Sequence, residues 1–214
     1  MRGSWGQGFY APTPFVEETE AAGLSRLEPL ADLRAETAST ASLDLGYARG
    51  SWETNLTLFG SNIDDALQLV PVAADRVRLV NVEGATRTRG VEMLGRWRRA
   101  PFVVTASYMY LDADQPDPVG AGRRAAPLTP RHTAGLVAMW EDHDRGRLGF
   151  EAYYTGAQSL DDDPYRARGD AYWELGLLGE VVLGRYRIFL NLENLLDERQ
   201  TRTDPLLRLS LIHI

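Results

Sequence analysis

The sequence predicts an all-β fold, an antiparallel up-and-down meander that makes an incomplete, partial transmembrane β-barrel of about ten strands. Three observations predict it. Apolar residues recur at every second position along most of the chain, as in strands with two unlike faces. The connections alternate between short and long, which is the turn and loop asymmetry of outer-membrane barrels. No apolar run approaches the ~20 residues of a membrane helix, and the mean hydropathy is only −0.29. Alternating strands average to such a value because one face alone meets lipid.

Nine segments carry the alternation: 2–9, 37–48, 52–70, 76–98, 102–111, 131–140, 147–155, 171–182 and 185–195. Within 37–48, Ala41, Leu43, Leu45 and Tyr47 alternate with Ser42, Asp44 and Gly46, and Leu56 and Leu58 then alternate with Asn55 and Thr57. The stretch 52–98 is long enough to hide a further break, for which Glu83-Gly84 is the candidate bulge or turn. Val91, Met93 and Trp97 alternate with Gly90, Glu92, Leu94 and Arg96. Phe102, Val104, Ala106, Tyr108 and Tyr110 alternate with Val103, Thr105, Ser107 and Met109. Leu148, Phe150, Ala152 and Tyr154 alternate with Arg147, Gly149, Glu151 and Tyr153. Trp173, Leu175, Leu177 and Val181 alternate with Tyr172, Glu174, Gly176 and Glu180. The last segment sets Tyr186, Ile188, Leu190 and Leu192 against Arg185, Arg187, Phe189, Asn191 and Glu193. Short turns are expected at 48–51, 98–101, 141–145 and 183–185, and long polar loops at 10–36, 112–130 and 158–169, with a shorter one at 71–75.

In a barrel the uniform apolar face looks out to lipid and the mixed face looks in. Trp97, Tyr108, Tyr110, Trp140 and Trp173 fall near strand ends, where a ring with one polar atom suits the headgroup level. Arg147, Glu151, Glu174, Arg185, Arg187 and Glu193 are assigned to the inward face, with Arg185 or Arg187 expected to pair with Glu174 or Glu180 across neighbouring strands.

Composition narrows the functional classes. The 214 residues, 44% of them hydrophobic, suffice for one domain with a sizeable core, and length alone permits two. With no cysteine, disulfide frameworks, thiolate metal sites and cysteine nucleophiles drop out. A net charge of −7 argues against a nucleic-acid partner, which calls for a basic face. All 23 basic residues are arginine, a composition effect without mechanistic weight. Met1 to Gly6 lacks the apolar core of a signal peptide, so an exported protein would have its real start upstream.

Five segments in order resemble those of TonB-dependent outer-membrane receptors. Gly8-Phe9-Tyr10-Ala11-Pro12-Thr13 is similar to the segment that opens a large extracellular loop in that family. Thr88-Arg89-Gly90-Val91-Glu92, Ser107-Tyr108-Met109-Tyr110-Leu111-Asp112-Ala113 and Leu128-Thr129-Pro130-Arg131-His132 resemble three of its strand segments. Leu190 to Arg199 (LNLENLLDER) resembles the segment near the end of the barrel, although Gln200 stands where the family usually has tyrosine. The resemblance covers nearly all of residues 8–199. It implies that 1–208 form the C-terminal part of a receptor barrel. The plug domain, the TonB box and the last strand are then expected outside this sequence. Leu209 to Ile214 (LSLIHI) is what one frame of a common transposase sequencing adaptor encodes, so 209–214 is read as a non-native tail.

The resemblance also implies the partners: outer-membrane lipid, the barrel-assembly machinery, the TonB complex acting through the plug, and a scarce small extracellular ligand of the siderophore, cobalamin or glycan class. No enzymatic activity and no cofactor are expected. About ten strands against about 22 for such transporters is under half a barrel, so both sheet edges should pair or aggregate when the piece is made alone.

Candidate sites are weak. Asp161-Asp162-Asp163 offers clustered oxygens for a hard cation but lacks the glycine and spacing of a calcium loop. Asp142-His143-Asp144 lies in an expected tight turn, and His132 starts a strand, so no catalytic metal site is assigned. Paired carboxylates such as Glu174 and Glu180 leave a glycosidase open without singling out one pair. There is no nucleophile elbow and no phosphate-cradling glycine loop. Asn55-Leu56-Thr57 matches a glycosylation pattern on an expected strand. No catalytic, metal or ligand-binding residue is therefore assigned. The alternatives are a passive outer-membrane porin and a soluble β-sandwich, either a carbohydrate-binding protein or a glycosidase.

Overall fold

The computed structural model describes residues 1–13, 26–73, 75–117, 122–142, 144–160 and 166–199. In chain order the strands are β1 (Arg2–Tyr10), β2 (Glu36–Arg49), β3 (Trp52–Asp64), β4 (Leu67–Ala73), β5 (Arg76–Asn81), β6 (Thr86–Arg99) and β7 (Phe102–Pro116). They continue with β8 (Arg123–Ala125), β9 (His132–Asp142), β10 (Gly146–Thr155), β11 (Gln158–Ser159), β12 (Arg168–Gly169), β13 (Tyr172–Leu183) and β14 (Tyr186–Leu192). Nine of them form one antiparallel meander in the order β1-β2-β3-β6-β7-β9-β10-β13-β14, with β8 paired to β7 off that path. β4–β5 and β11–β12 form separate two-stranded sheets.

The expected segments 52–70 and 76–98 each divide in two. Asp65, at φ 56°, turns the chain out of β3, and the bend at Glu83-Gly84, with Gly84 at φ 95°, returns it to β6. The hairpin β4–β5 thus stands at the loop end of the sheet rather than in it. The loop expected at 112–130 is also partly strand, because β7 runs on to Pro116 and takes β8 as a partner. The final strand stops at Leu192, short of the expected 195.

Register settles the two faces, since directly opposed residues share a face. One lateral row runs Leu45, Leu56, Met93, Tyr108, Ala134, Tyr154 and Trp173. A polar row runs Asp44, Thr57, Glu92, Met109 and Thr133. Every apolar set named from the sequence falls on the first face. That face is solvent-exposed, with Leu148 at 59% and Ile188 at 60%. A soluble sandwich would have to bury it between two sheets, and one sheet alone carries it.

The strands are staggered in the manner of a barrel wall. The row that starts at Trp52, the first residue of β3, passes through Trp97, Val104, Ala138, Phe150 and Leu177 and ends at Leu192, the last residue of β14. Across those six strand steps the hairpin turns fall six residues behind the row, since Leu192 lies six positions after Tyr186. One residue per step, at about 3.3 Å rise and 4.8 Å strand spacing, is a tilt of about 35°. The turns themselves stay level. Gly50-Ser51, Ala100-Pro101, Asp144-Arg145 and Gly184-Arg185 lie at one end, and the strand ends that meet the long connections lie at the other.

Glycines show which way the sheet curls. On the polar face a Cβ at Gly90 would collide with the Phe59 ring and one at Gly176 with the Glu151 carboxylate. One at Gly135 would lie 2.8 Å from Ser107 Oγ and 3.3 Å from the Tyr153 ring. On the apolar face, Gly179 has nothing nearby, and the nearest atom to Gly95 is 4.0 Å away. Side chains crowd on the inside of a curve and splay on the outside, so the polar face is the inner one.

Candidate functional site

Among the described residues, two places combine polar groups with a defined shape, the inner face and the long-loop end. On the inner face near the turns, Glu180 lies directly across from Arg147 and diagonally from Arg187. Both guanidiniums reach it, Arg147 Nη2 at 2.9 Å and Arg187 Nη1 at 2.8 Å, and its side chain is only 10% exposed. The expected Arg187–Glu180 pair is therefore present. Arg185 departs from its expected inward place. It sits in the β13–β14 turn, donates to Tyr186 Oη at 2.9 Å and lies over that ring at 5.1 Å. The two-residue turn consumes the position that strict alternation allotted to the strand. Farther up the same face a depression of about 290 Å³ is lined by Val137, Met139, Glu151, Leu178, Asn191 and Glu193.

At the long-loop end, β4–β5 is held by the returning chain. Glu28 N donates to Val77 O at 2.9 Å and Arg78 Nε reaches Glu28 Oε2 at 2.6 Å. Asn81 works as a clamp: its Oδ1 accepts from Arg34 N at 2.7 Å, while Nδ2 donates to Asp65 O at 2.6 Å and Arg34 O at 2.9 Å. Arg34 also pairs with Asp65 at 2.6 Å, and Leu67 N donates to Glu36 Oε1. Val77 and Leu79 of β5 are among the few buried apolar residues described. Between it and β7–β8 opens a cleft lined by Gln68, Val70, Val80, Glu83, Pro116 and Asp117.

Beside the cleft Arg123 grips Asp114, with Nε to Oδ2 at 2.9 Å and Nη2 to Oδ1 at 2.5 Å, and donates to Ala85 O at 2.8 Å. That hydrogen bond holds the Asp114 carboxyl below its usual range against the opposing effect of desolvation, and Arg87 and Arg89 add to the field. Asp114 lies outside the span, since a membrane strand needs about 9–11 residues counted from the turn before Phe102.

Segments far apart in sequence meet here. Tyr108 Oη and His132 Nδ1 are 2.8 Å apart, the Tyr110 and His132 rings lie 5.3 Å apart, and Arg131 pairs with Asp112 at 3.1 Å. His132 is thus a strand-end packing residue. After β14, Asn194 at φ 50° accepts from Glu198 N at 2.8 Å and donates to Glu198 O at 2.7 Å, and Asp197 takes Arg199 at 2.8 Å.

Of the other sequence candidates, Asp142 binds Arg145 at 3.7 Å and accepts from Asp144 N at 3.1 Å within its turn. Asn55 lies on β3 and donates to Thr57 Oγ1. His143, Asp161-Asp162-Asp163, Gln200 and 209–214 lie outside the described residues. Among the described residues no three His, Asp or Glu side chains converge as metal ligands would. Sequence reasoning missed Arg147 as the direct partner of Glu180 and Asn81 as a clamp. Each depends on register, which alternation does not specify.

A family profile described as "TonB dependent receptor-like, beta-barrel" matches residues 1–195. The chain belongs to the TonB-dependent receptor family. Its fold is similar to part of the copper transporter OprC, with a TM-score of 0.70 and 15% identity over 92% of this chain and 31% of that one. It is likewise similar to the ferric yersiniabactin uptake receptor FyuA from Yersinia pestis, with a TM-score of 0.67 and 20% identity over 92% of this chain and 29% of that one. The ferric-catecholate import receptor Fiu from K12 E. coli gives 0.61 and 19% identity over 78% of this chain and 24% of that one. The chain therefore spans under a third of each of these structures. No curated protein matches the chain in sequence. TonB-dependent receptors are non-enzymatic transporters of the Gram-negative outer membrane, so the apolar face is the lipid face of a receptor barrel, and its short turns lie on the periplasmic side.

Proposed function

We propose that the chain is the C-terminal stretch of a barrel that takes up a scarce extracellular ligand of the siderophore, cobalamin or glycan class. The observation that carries this is the tilted meander with one apolar face and all long connections at one end, in a chain of this family. That Fiu is a ferric-catecholate import receptor, OprC a copper transporter and FyuA a ferric yersiniabactin uptake receptor supports uptake of metal or its chelates as the first class to test. The packed 26–36 segment, β4–β5 and β7–β8 supply the outer rim where ligand would be met. Energy would arrive through TonB acting on a plug domain encoded with this barrel, and assembly through the barrel-assembly machinery. On this reading 209–214 contributes nothing to the barrel.

The test is deletion of the whole gene in its host, followed by growth on limiting iron-chelate, copper, cobalamin or glycan. Loss of growth on one of these, reproduced by deleting TonB, is the expected result. Uptake that persists without TonB would instead mark a passive porin.

A further inference from the structure

At the short-turn end of the lipid face stand two arginines that form no ion pair with a carboxylate among the described residues. Arg49 ends β2 opposite Trp52, and Arg99 ends β6 opposite Phe102. Both are exposed, and among the described residues neither has an ion-pair partner. The other end of the same face is arranged differently, with Arg89 directly opposite Asp112 and Arg87 opposite Asp114. The acidic residue on the lipid face at the short-turn end of β9, Asp142, is already engaged by Arg145 at 3.7 Å.

Between Arg49 and Arg99 lie the Trp52 and Trp97 rings, 6.4 Å apart. Indoles seat at the headgroup level, which puts the two guanidiniums at phosphate depth. Two strand spacings across and two residues along separate their Cα atoms by about 12 Å, a gap that two long side chains close around one phosphate. Guanidinium forks match phosphate oxygens.

We infer that Arg49 and Arg99 hold the headgroup phosphate of an anionic phospholipid of the periplasmic leaflet, with its acyl chains against the Trp52–Trp97 pair. A zwitterionic lipid brings its own ammonium to the phosphate and competes with the arginines; an anionic headgroup such as phosphatidylglycerol does not. The inference rests on the family reading of this face as the lipid face.

Quenching of tryptophan fluorescence by lipids with brominated acyl chains tests it. The whole receptor that carries this chain is reconstituted in phosphatidylcholine vesicles containing brominated phosphatidylglycerol or, in parallel, brominated phosphatidylcholine. The expected result is a preference for phosphatidylglycerol of roughly five-fold, falling to near parity in Arg49→Gln/Arg99→Gln and part-way in each single variant. Arg98→Gln, on the inner face of the same strand end, should leave it unchanged. Equal quenching by both lipids in the unsubstituted chain, or a preference that survives the double substitution, overturns the inference while leaving the lipid face intact. Quenching by neither lipid overturns the lipid-face reading itself and this inference with it.

Discussion

Gly90 belongs to a segment that resembles the receptor family, and the structure supplies a physical use for it. The Phe59 ring lies over its Cα, and Tyr110 O would sit 2.8 Å from an added Cβ. The ring could swing away but the backbone carbonyl cannot, so Gly90→Ala should destabilise the sheet by about 1–3 kcal/mol. Gly60→Ala is the control, because its Cβ would meet nothing closer than 3.7 Å, and it should be near neutral. Urea midpoints of the two variants in the same detergent decide this, and equal midpoints would remove the packing account. Asp114 gives a prediction with a sign. Its folded pKa lies below the ordinary 3.8 because Arg123 binds the carboxylate. The link therefore contributes fully above that pH and is lost as pH falls through the folded value. Amide exchange in β8 should stay slow at pH 5 and quicken only below about pH 4, whereas Asp114→Asn should exchange fast at both. Quickening already between pH 7 and 5 would assign the transition to another group.

At the scale of elements, one carboxylate on β13 adds a side-chain link to both β10 and β14 beside the backbone ladders. Glu180→Ala would leave Arg147 and Arg187 facing each other across its place, and the expected loss is about 1–3 kcal/mol. Glu180→Gln keeps the acceptor oxygen and should lose less. Double-mutant cycles with Arg147→Ala and Arg187→Ala should show coupling for both pairs, and additivity would mean that the triad contributes nothing. The alternation of Arg187 and Glu180 was legible in the sequence, and their pairing was one of the combinations expected of Arg185 or Arg187 with Glu174 or Glu180. Arg147 was placed on the right face, but its position opposite Glu180 depends on the register between β10 and β13, which alternation does not specify. The hairpin β4–β5 was hidden for a different reason. Val77 and Leu79 keep the same odd-position phase as Val91 and Met93 of β6, so alternation runs on from one strand to the next, and Asp65 and Gly84, both at positive φ, mark where the hairpin leaves the sheet. β8, β11 and β12 are two or three residues long, too short for any period to show. The turns were legible because each interrupts alternation at both sides, and they placed the short and long ends correctly.

For the molecule as a whole, the tilt and the single apolar face are one property seen twice. A wall tilted by about 35° needs every strand to lag its neighbour by one residue, and that lag keeps all the short turns at one membrane level while lateral rows climb from periplasmic to extracellular rim. Trp52 and Trp97 at the low end, and Tyr154 and Trp173 at the high end with rings 5.0 Å apart, then mark the two interfaces. The depth scale this implies is testable with neighbouring residues. Leu136 lies mid-strand on β9, opposite Ala106 and Ala152 on the lipid face. Val137, the next residue, faces inward opposite Thr105 and Glu151. Leu136→Arg places a charge at the middle of the bilayer and should cost about 2–4 kcal/mol of insertion free energy, whereas Val137→Arg meets Glu151 beside the inner depression and should cost little. Folding yields into vesicles, read by protease protection, compare them directly. If both arginines were equally harmful the two faces would be equivalent to the solvent, as in a sandwich core. If both were harmless the sheet would not be crossing a membrane. Only an asymmetry confined to alternate residues fits a barrel wall, and its size should fall when the same pair of substitutions is moved along β9 toward Trp140, where the lipid face reaches the headgroups.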